Sequence, residues 1–236
     1  DALKMFLFTS RSLSSFVKSP LDKFLLKSPV DVVDKVYGKM TRENLDVDLI
    51  IWPENSLPIP IPYANEYLDI MAKTVGENGS SLLVGLPELT PDQEHYFNSM
   101  IALTDTTDNK IYRKSKLVPF GEFVPFEKLL RGLIGFFDIP MSDFISKYDN
   151  VTSMQLSFSK VLPLICYEIA YPQMVRNNLQ NSTNDKNDKH PQVIVNISED
   201  GWFGKSLGPH QHLQIAKMRA QETGLYVLRA TTNGIS

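Results

Sequence analysis

Three residues of the chain, Glu54, Lys114 and Cys166, carry the side chains that acyl transfer through a thioester requires. Each follows a short apolar run, so each is expected at or just past the end of a buried strand. A thiol must lose a proton before it attacks a carbonyl, and a carboxylate can serve as the base. The tetrahedral intermediate carries a negative oxygen, which a fixed cation can stabilise. The order Glu, Lys, Cys therefore predicts a thiol-dependent acyl-transfer site.

Each of these residues also has a plainer interpretation. A single cysteine in an apolar stretch is often a small core residue. A lone Glu or Lys after a strand is usually a solvated loop residue. The combination of the three types, each at the end of an apolar run, favours the catalytic hypothesis.

Composition narrows the class of protein. The chain has 236 residues, a length that can bury one large core or two small ones. A net charge of −3, with no block of Lys and Arg, excludes an electrostatic footprint for nucleic acid. The single cysteine excludes an internal disulfide and a thiolate metal cluster, but it does not fix the cellular compartment. No run of about eighteen apolar residues is present, so no segment is expected to span a bilayer.

The two ends of the chain carry separate expectations. Residues 2–8 are apolar with one lysine, which fits either a first strand or the remnant of a hydrophobic segment. The chain stops at Ser236, shortly after the apolar run 225–228, and this suggests truncation at the C-terminus.

Apolar periodicity predicts alternating strands and helices. Apolar residues at helical spacing predict helices over 63–75 and 211–223, the second followed by Gly224 as its C′ residue. Short apolar runs predict the buried strands, which are 48–52, 81–86, 99–104, 110–112, 161–165, 193–197 and a last one after Gly224. Residues 177–190 are rich in Asn and Asp and predict an exposed polar loop. The alternation predicts one α/β domain with its chemistry at the carboxyl ends of strands.

Several motifs resemble one family. Glu54, Lys114 and Cys166 resemble the Glu-Lys-Cys triad of the nitrilase, or carbon–nitrogen hydrolase, superfamily. Within that superfamily, the sequence motifs around the three residues and downstream of them are similar to those of the apolipoprotein N-acyltransferase family. The matching sequence motifs lie between Asp48 and the C-terminus. They are 51–54, 112–114, 117–125, 166–168, 202–206, 208–212 and 229–234.

The resemblance implies a fold and a reaction. The fold would be a single nitrilase-like α-β-β-α sandwich over residues 1–236. An acyl chain would pass from a phospholipid to the cysteine, and then to the N-terminal amine of a diacylglyceryl-modified lipoprotein cysteine. No cofactor or metal is implied. Members of the family carry membrane helices on both sides of this domain, so the resemblance places the catalytic domain on the periplasmic face of the bacterial inner membrane.

Roles carry over residue by residue from the resemblance. Glu54 would be the general base, Lys114 the oxyanion-stabilising cation and Cys166 the nucleophile. The supporting residues would be Glu122, as a second active-site carboxylate, and Tyr167 and Glu168 beside the nucleophile.

An apolar wall for the acyl chain is expected in the segment 113–150. Its aromatic and aliphatic residues between 120 and 137 are interrupted by glycines and a proline, which favours a mobile arm or lid over the alternative of a buried helix. Phe120 and Phe123 are candidate substrate-binding residues there, together with Trp202 and Asn233 further along. Trp202 could equally be a buried core residue.

Other features depart from the family pattern or have plain interpretations. The first forty residues match it poorly, and Glu199 stands where asparagine is commoner, which could raise the pKa of the cysteine. His210 and His212 are two positions apart and do not share a helix face, so capping and packing of the 202–204 turn is preferred to a metal site.

Two alternative functions remain open at this point. One is a soluble amidase or nitrilase-type hydrolase with the same triad, which would need a small polar pocket and no apolar arm. The other is a non-catalytic remnant that binds lipid or lipoprotein. The intact triad argues against the second alternative.

Overall fold

Two β-sheets form the centre of the molecule in the computed structural model of the chain. The structure describes residues 29–105, 110–119, 122, 144–146, 152–182 and 190–236, and the backbone of 5–7. The first sheet has the order β1-β2-β3-β4-β5 and the second the order β6-β7-β8-β9. The strands are β1 (Met5–Leu7), β2 (Leu49–Ile51), β3 (Ser81–Leu89), β4 (Tyr96–Leu103), β5 (Ile111–Arg113), β6 (Met154–Gln155), β7 (Lys160–Ile165), β8 (Val193–Ser198) and β9 (Tyr226–Thr231).

Each sheet contains three neighbouring strands that run parallel. β1, β2 and β3 run parallel, as do β7, β8 and β9, while β4, β5 and β6 are joined to their neighbours antiparallel. The carboxyl ends of parallel neighbours meet at one edge of a sheet, where the loops that follow them come together.

Helices lie outside both sheets. They are α1 (Pro29–Val33), continued by a π-helical segment (Asp34–Gly38) and α2 (Lys39–Arg42), then α3 (Ile61–Gly76), α4 (Pro172–Asn181) and α5 (Gly208–Thr223). Two short 3₁₀ helices, Cys166–Ala170 and Asp200–Phe203, follow β7 and β8. No helix in the described ranges combines the length and apolarity needed to cross a bilayer.

Successive side chains of a strand point to opposite faces of its sheet, so each central strand contributes both to the core between the sheets and to the core under the outer helices. In β2, Leu49 and Ile51 face the second sheet, while Ile50 faces the helices on the outside. In β8, Val195 faces the first sheet and Ile194 packs with the outer helices α4 and α5. Both faces of each central strand are therefore buried, as expected for strands covered by helices. The predicted α-β-β-α sandwich is confirmed.

Most predicted elements are found close to their predicted positions. The helix predicted over 63–75 is α3, and the one predicted over 211–223 is α5, which ends at Gly224 with φ of 69°. The strand predicted over 81–86 continues to Leu89 because it pairs with β4 as far as Tyr96. Of the two alternatives for residues 2–8, the strand is the one observed, since Met5–Leu7 pairs with β2.

The polar loop predicted over 177–190 is wrong at its beginning. Residues 177–181 belong to α4, which Pro172 starts in its first turn. Val175 is buried and Leu179 packs against the outer face of the second sheet, so a few apolar positions are enough to dock the helix. Residues 183–189 lie outside the described residues, as does most of the predicted arm 113–150.

Candidate active site

Glu54 lies in the turn that follows β2. The turn rests on β3, where Leu57 N–H donates to the carbonyl of Gly85 at 3.2 Å. A side chain on Gly85 would come within 2.5 Å of the carbonyl oxygen of Pro53 and 2.8 Å of Cα of Glu54. The absence of a Cβ at residue 85 therefore lets the turn pack against β3 and sets the position of Glu54.

Lys114 directly follows β5 and is held to β4. Its N–H donates to the carbonyl of Asn98 at 2.8 Å, which continues the pairing of the two strands. Tyr112 faces the core between the sheets, and strand alternation places Lys114 on the same side. Lys114 is only 1% exposed.

Cys166 is the first residue of the 3₁₀ helix that follows β7. Its φ of 53° lies in the left-handed region, which a non-glycine residue adopts at a cost in strain. The residue is 8% exposed and packs in the core between the sheets. Nucleophiles are often found on such strained turns, because the turn presents the side chain away from the strand.

Two carboxylates meet at the Lys114 ammonium. Nζ lies 3.3 Å from Glu54 Oε1 and 2.8 Å from Glu122 Oε1. Asn98 Nδ2 donates to the same two oxygens, at 2.7 and 2.9 Å. Backbone donors hold the outer oxygens, since Glu199 N–H donates to Glu54 Oε2 at 2.7 Å and Val118 N–H to Glu122 Oε2 at 2.9 Å. The predicted supporting residue Glu122 thus contacts Lys114 directly.

The surroundings of Lys114 keep it charged. Burial alone would lower its pKa, but the negative charges of Glu54 and Glu122 outweigh burial and raise the pKa above its usual value. The site therefore contains a fixed cation at neutral pH.

The surroundings of Cys166 keep its thiol protonated. Burial raises the pKa of the thiol to about 12, and the negative charge of Glu54 adds to the rise. Lys114 and a hydrogen bond with Ser198 oppose it. Glu199, the departure from the family pattern, is not among the main causes of the rise. A neutral thiol needs a base at the moment of attack.

Glu168 is fully buried and forms hydrogen bonds both to the end of β7, beside Cys166, and to the segment around Lys114. One oxygen accepts from Ile165 N–H at 2.9 Å and from the Tyr112 hydroxyl at 2.8 Å. The other accepts from the N–H groups of Ser115 at 2.7 Å and Lys116 at 3.1 Å. Burial raises the pKa of Glu168, while these donors and the charge of Lys114 oppose the rise. Its neighbour Tyr167 instead lines the cavity described below.

A buried polar network behind the nucleophile was not predicted from the sequence. The carbonyl oxygen of Cys166 accepts from Asn196 Nδ2 at 3.1 Å and lies 3.2 Å from His212 Nε2. Asp200 Oδ1 lies 3.0 Å from His212 Nδ1, and Asp200 Oδ2 accepts from Arg229 at 2.6 Å. Burial acts to raise the pKa of Asp200, but the hydrogen bond to His212 and the charge of Arg229 outweigh it and lower the pKa to about 2.

The sequence held a weak signal for this network. Asn196 and Arg229 occupy polar positions in the otherwise apolar strands β8 and β9, where an unpaired polar side chain would be costly. The packing role preferred for His212 agrees with its contact to Phe203, with ring centroids 6.1 Å apart.

The triad shares one cavity of about 410 Å³. Glu54, Lys114 and Cys166 line it together with Glu122 and Glu199. Its apolar lining among the described residues comprises Val118, Pro119, Phe144, Tyr167, Trp202 and Phe203. The structure therefore brings together the three groups that the sequence separates by 60 and 52 positions.

The candidate substrate-binding residues have different outcomes. Trp202 is 68% exposed at the cavity, so the alternative of a buried core tryptophan is wrong. Asn233 reaches the site through Glu199, to whose Oε1 its Nδ2 donates at 3.0 Å. Phe120 and Phe123 lie outside the described residues. In the described part of the chain, no group of three or more His, Cys, Asp or Glu side chains is arranged to hold a metal ion.

A carboxylate, an ammonium and a thiol line one cavity of an α-β-β-α sandwich, the fold of the nitrilase class of proteins. The family model for carbon-nitrogen hydrolases matches residues 24–236, and the chain belongs to that family. The match begins upstream of Asp48, so part of the N-terminal region expected to match poorly lies inside it.

Curated relatives include apolipoprotein N-acyltransferases. The chain is 40% identical over 204 residues to the one from Pseudomonas aeruginosa (strain LESB58), covering 85% of this chain and 38% of the relative. It is 37% identical over 212 residues to the one from Shewanella oneidensis, covering 85% of this chain and 39% of the relative. The chain thus spans about two fifths of the length of these relatives.

Solved structures of similar fold are more distant in sequence. Nit3 of Saccharomyces cerevisiae, a nitrilase-superfamily member, gives a TM-score of 0.61 at 16% identity, covering 97% of this chain and 75% of that one. A carbon-nitrogen hydrolase from Helicobacter pylori gives 0.62 at 14% identity, covering 87% and 69%. At this identity the likeness concerns the fold alone.

Proposed function

We propose that the chain is the catalytic domain of an apolipoprotein N-acyltransferase. It would move an acyl chain from a phospholipid, through a thioester on Cys166, to the N-terminal amine of a diacylglyceryl-modified lipoprotein cysteine. The observation that carries the proposal is the meeting of Glu54, Lys114 and Cys166 at one cavity with apolar walls. The similarity to named N-acyltransferases supports the choice of transfer over hydrolysis.

The first half-reaction forms the thioester. Glu54 takes the proton from the Cys166 thiol, and the thiolate sulfur attacks the ester carbonyl of the phospholipid. Lys114 stabilises the oxyanion of the tetrahedral intermediate. The carbon–oxygen bond then breaks, the leaving alkoxide takes the proton from Glu54, and lysophospholipid departs.

The second half-reaction forms the amide. The neutral amine of the lipoprotein attacks the thioester carbonyl and gives a proton to Glu54. The carbon–sulfur bond breaks, and the Cys166 thiolate recovers that proton. Glu122 keeps Lys114 in place through both steps, and Glu168 fixes the turn of the nucleophile relative to the lysine.

Transfer competes with hydrolysis, so water must be kept from the thioester. Phe144, Tyr167 and Trp202 give the cavity apolar walls suited to an acyl chain. We propose that the segment 113–150 acts as an apolar arm that shields the cavity from water, with Phe120 and Phe123 against the acyl chain. The donor would be a membrane phospholipid, and we propose that the domain lies at the periplasmic face of the bacterial inner membrane.

The thioester is the direct test. The complete protein is incubated with phospholipid vesicles, and mass spectrometry is used to find a hydroxylamine-labile acyl adduct on Cys166. We expect the adduct in the wild type and its disappearance when a diacylglyceryl peptide is added. Cys166→Ser should remove it. Turnover of a small amide without a lipid adduct would replace the proposal by an amidase, and no turnover of either kind would replace it by a binding protein.

A further inference from the structure

The charged side chains of the cavity do not balance. Among the described lining residues, Glu54, Glu122 and Glu199 are carboxylates, and Lys114 is the one cation. Lys114 contacts Glu54 and Glu122. Glu199 makes no ion pair with a Lys, Arg or His of the described ranges; its contact is the neutral amide of Asn233. The cavity therefore offers an anionic position to a cationic ligand.

Neutral donors hold the Glu199 carboxylate in place. Asn233 Nδ2 donates to Oε1 at 3.0 Å, and the N–H of Gly201 also donates to the carboxylate. A side chain on Gly201 would lie 2.9 Å from Glu199 Oε1 and 3.0 Å from Asn233 Nδ2. Glycine at residue 201 thus makes room for this pair. Burial raises the pKa of Glu199 and the charge of Glu54 adds to the rise, so a bound cation would stabilise its ionised form.

Asn98 gives a second, independent indication of a missing donor. It is 1% exposed, lines the cavity, and uses Nδ2 for both Glu54 and Glu122. Its Oδ1 has no hydrogen-bond partner in the described part of the chain. Buried acceptors in proteins are almost always satisfied, so this unpaired oxygen is open to a donor from a bound molecule, water included.

Asn98 and Glu199 both donate a hydrogen bond to the carboxylate of Glu54. Asn98 Nδ2 binds Glu54 Oε1 at 2.7 Å, and the backbone N–H of Glu199 binds Glu54 Oε2 at 2.7 Å. The two residues that carry the acceptors are therefore both bonded to the proposed general base and line the same cavity.

We propose that Glu199, with Asn98 as a second acceptor, forms a subsite for a primary ammonium group, that of the incoming acyl acceptor. The inference rests on the proposed function, in which the acceptor is an amine. An α-amino group has a pKa of about 7.7–8.0, so at neutral pH most of it arrives as ammonium with three donors. Glu199 binds it in that form. One proton is released to solvent to give the neutral amine, whose attack on the thioester then gives a second proton to Glu54.

The same ammonium chemistry is found in an ethanolamine phospholipid headgroup. In the donor, however, the headgroup nitrogen is separated from the reacting ester by the glycerol and phosphate groups. The acceptor nitrogen must come within about 3–3.5 Å of the thioester carbonyl. The backbone N–H of Glu199 donates to the proposed base, Glu54. We therefore assign its carboxylate to the acceptor nitrogen and not to the headgroup nitrogen.

The test separates the two half-reactions in the complete protein. Acylation of Cys166 is measured by mass spectrometry with vesicles of phosphatidylglycerol, which has no ammonium, and of phosphatidylethanolamine. Transfer is then measured against the concentration of a diacylglyceryl peptide with a free N-terminus. Glu199→Gln is compared with Glu199→Asp, which keeps the charge, and with Glu94→Gln, the same change at an exposed position. Thermal unfolding checks that each variant is folded.

We expect Glu199→Gln to raise the KM for the peptide about 10- to 100-fold, the range for a hydrogen bond to a charged group, with less effect on acylation by phosphatidylglycerol. Glu199→Asp should recover part of the loss, and Glu94→Gln should behave as wild type. An unchanged peptide KM would overturn the inference. Slower acylation by phosphatidylethanolamine alone would assign Glu199 to the donor and also overturn it. Absence of any adduct in the wild type would instead refute the proposed function.

Discussion

At the scale of single residues, the site pairs a protonated thiol with a permanent cation. The thiol of Cys166 has a pKa of about 12 because it is buried and faces Glu54, whereas Lys114 is held charged by its carboxylate neighbours. The resting thiol is therefore unreactive, and in the proposed mechanism its proton moves to Glu54 as the carbonyl arrives. Such a thiol would be protected from unrelated electrophiles in the absence of substrate.

The raised pKa of Cys166 predicts slow alkylation with an unusual pH profile. Because the pKa is raised, the thiolate fraction at a given pH is smaller than for a free thiol. We expect the rate with iodoacetamide to be low at pH 7 and to rise without a plateau through pH 10, where a free cysteine with a pKa of about 8.5 has levelled off. Cys166 is the only cysteine, so the labelled fraction reads one site. A rate that levels off between about pH 9.5 and 10, as for a free cysteine, would contradict the assigned surroundings.

In the proposed mechanism, replacing Lys114 by alanine removes the cation that stabilises the oxyanion. We expect single-turnover acylation of Cys166 to slow by about 10²–10³, the usual effect of losing one such group. Alkylation by iodoacetamide should also slow, because Lys114 lowers the pKa of the thiol. Lys73→Ala, on the exposed face of α3, is the control. An acylation rate within twofold of wild type would show that another group stabilises the oxyanion.

The sequence predicted these residues unevenly. Glu54, Lys114 and Cys166 could be identified because each polar type ends an apolar run. Asn98 could not, since it lies within β4 as one polar residue among others, and its contacts to Glu54 and Glu122 span 44 and 24 positions. A role that depends on such distant pairing has no local pattern.

At the scale of elements, turns at strand ends place the reacting groups. The loops after β2, β5 and β7 carry Glu54, Lys114 and Cys166, and the loop after β8 carries Glu199. Strands were predicted well because apolar runs of this length are mostly buried strands. α4 was not predicted, and its last residues were assigned to the polar loop, because its polar composition hides the few apolar positions that dock it.

α5 contacts the backbone of Cys166 through the side chain of His212. His212 Nε2 lies 3.2 Å from the Cys166 carbonyl oxygen, and because a carbonyl can only accept, the hydrogen bond forms with the proton on Nε2. His212→Leu removes this donor, and we expect acylation to slow about 10-fold, the loss of roughly one hydrogen bond. His212→Gln, whose amide can donate from a similar position, should recover most of the rate.

The outcome for His212 is read from single-turnover acylation together with thermal unfolding. Equal loss in the leucine and glutamine variants, at equal stability, would mean that the hydrogen bond does not position the nucleophile.

At the scale of the whole molecule, the site exists only when the two sheets are packed together. The first sheet supplies Glu54 and Lys114, and the second supplies Cys166. Glu168 joins them, since it accepts from Tyr112 of β5 and from Ile165 of β7. The layered fold followed from the resemblance and from alternating apolar runs, but nothing in the sequence indicated that one carboxylate links the sheets.

Glu168→Gln tests this link. An amide places a donor where backbone and hydroxyl groups already donate, so at least one buried donor loses its partner. We expect the free energy of unfolding to fall by about 1–3 kcal/mol, measured by urea denaturation. Acylation of Cys166 should slow as well, because the turn of the nucleophile and the lysine strand are no longer held together. Unchanged stability with unchanged acylation would exclude the linking role.

The two tryptophans of the chain differ sharply in environment. Trp52 is 0% exposed and donates to Thr41, whereas Trp202 stands 68% exposed at the cavity. Intrinsic fluorescence should therefore contain a constant blue emission from Trp52 and a red component from Trp202 that shifts when a lipid chain displaces water beside the indole. Trp202→Phe would abolish the shift and leave the blue emission. The protein thus carries its own optical signal for occupancy, with an internal reference.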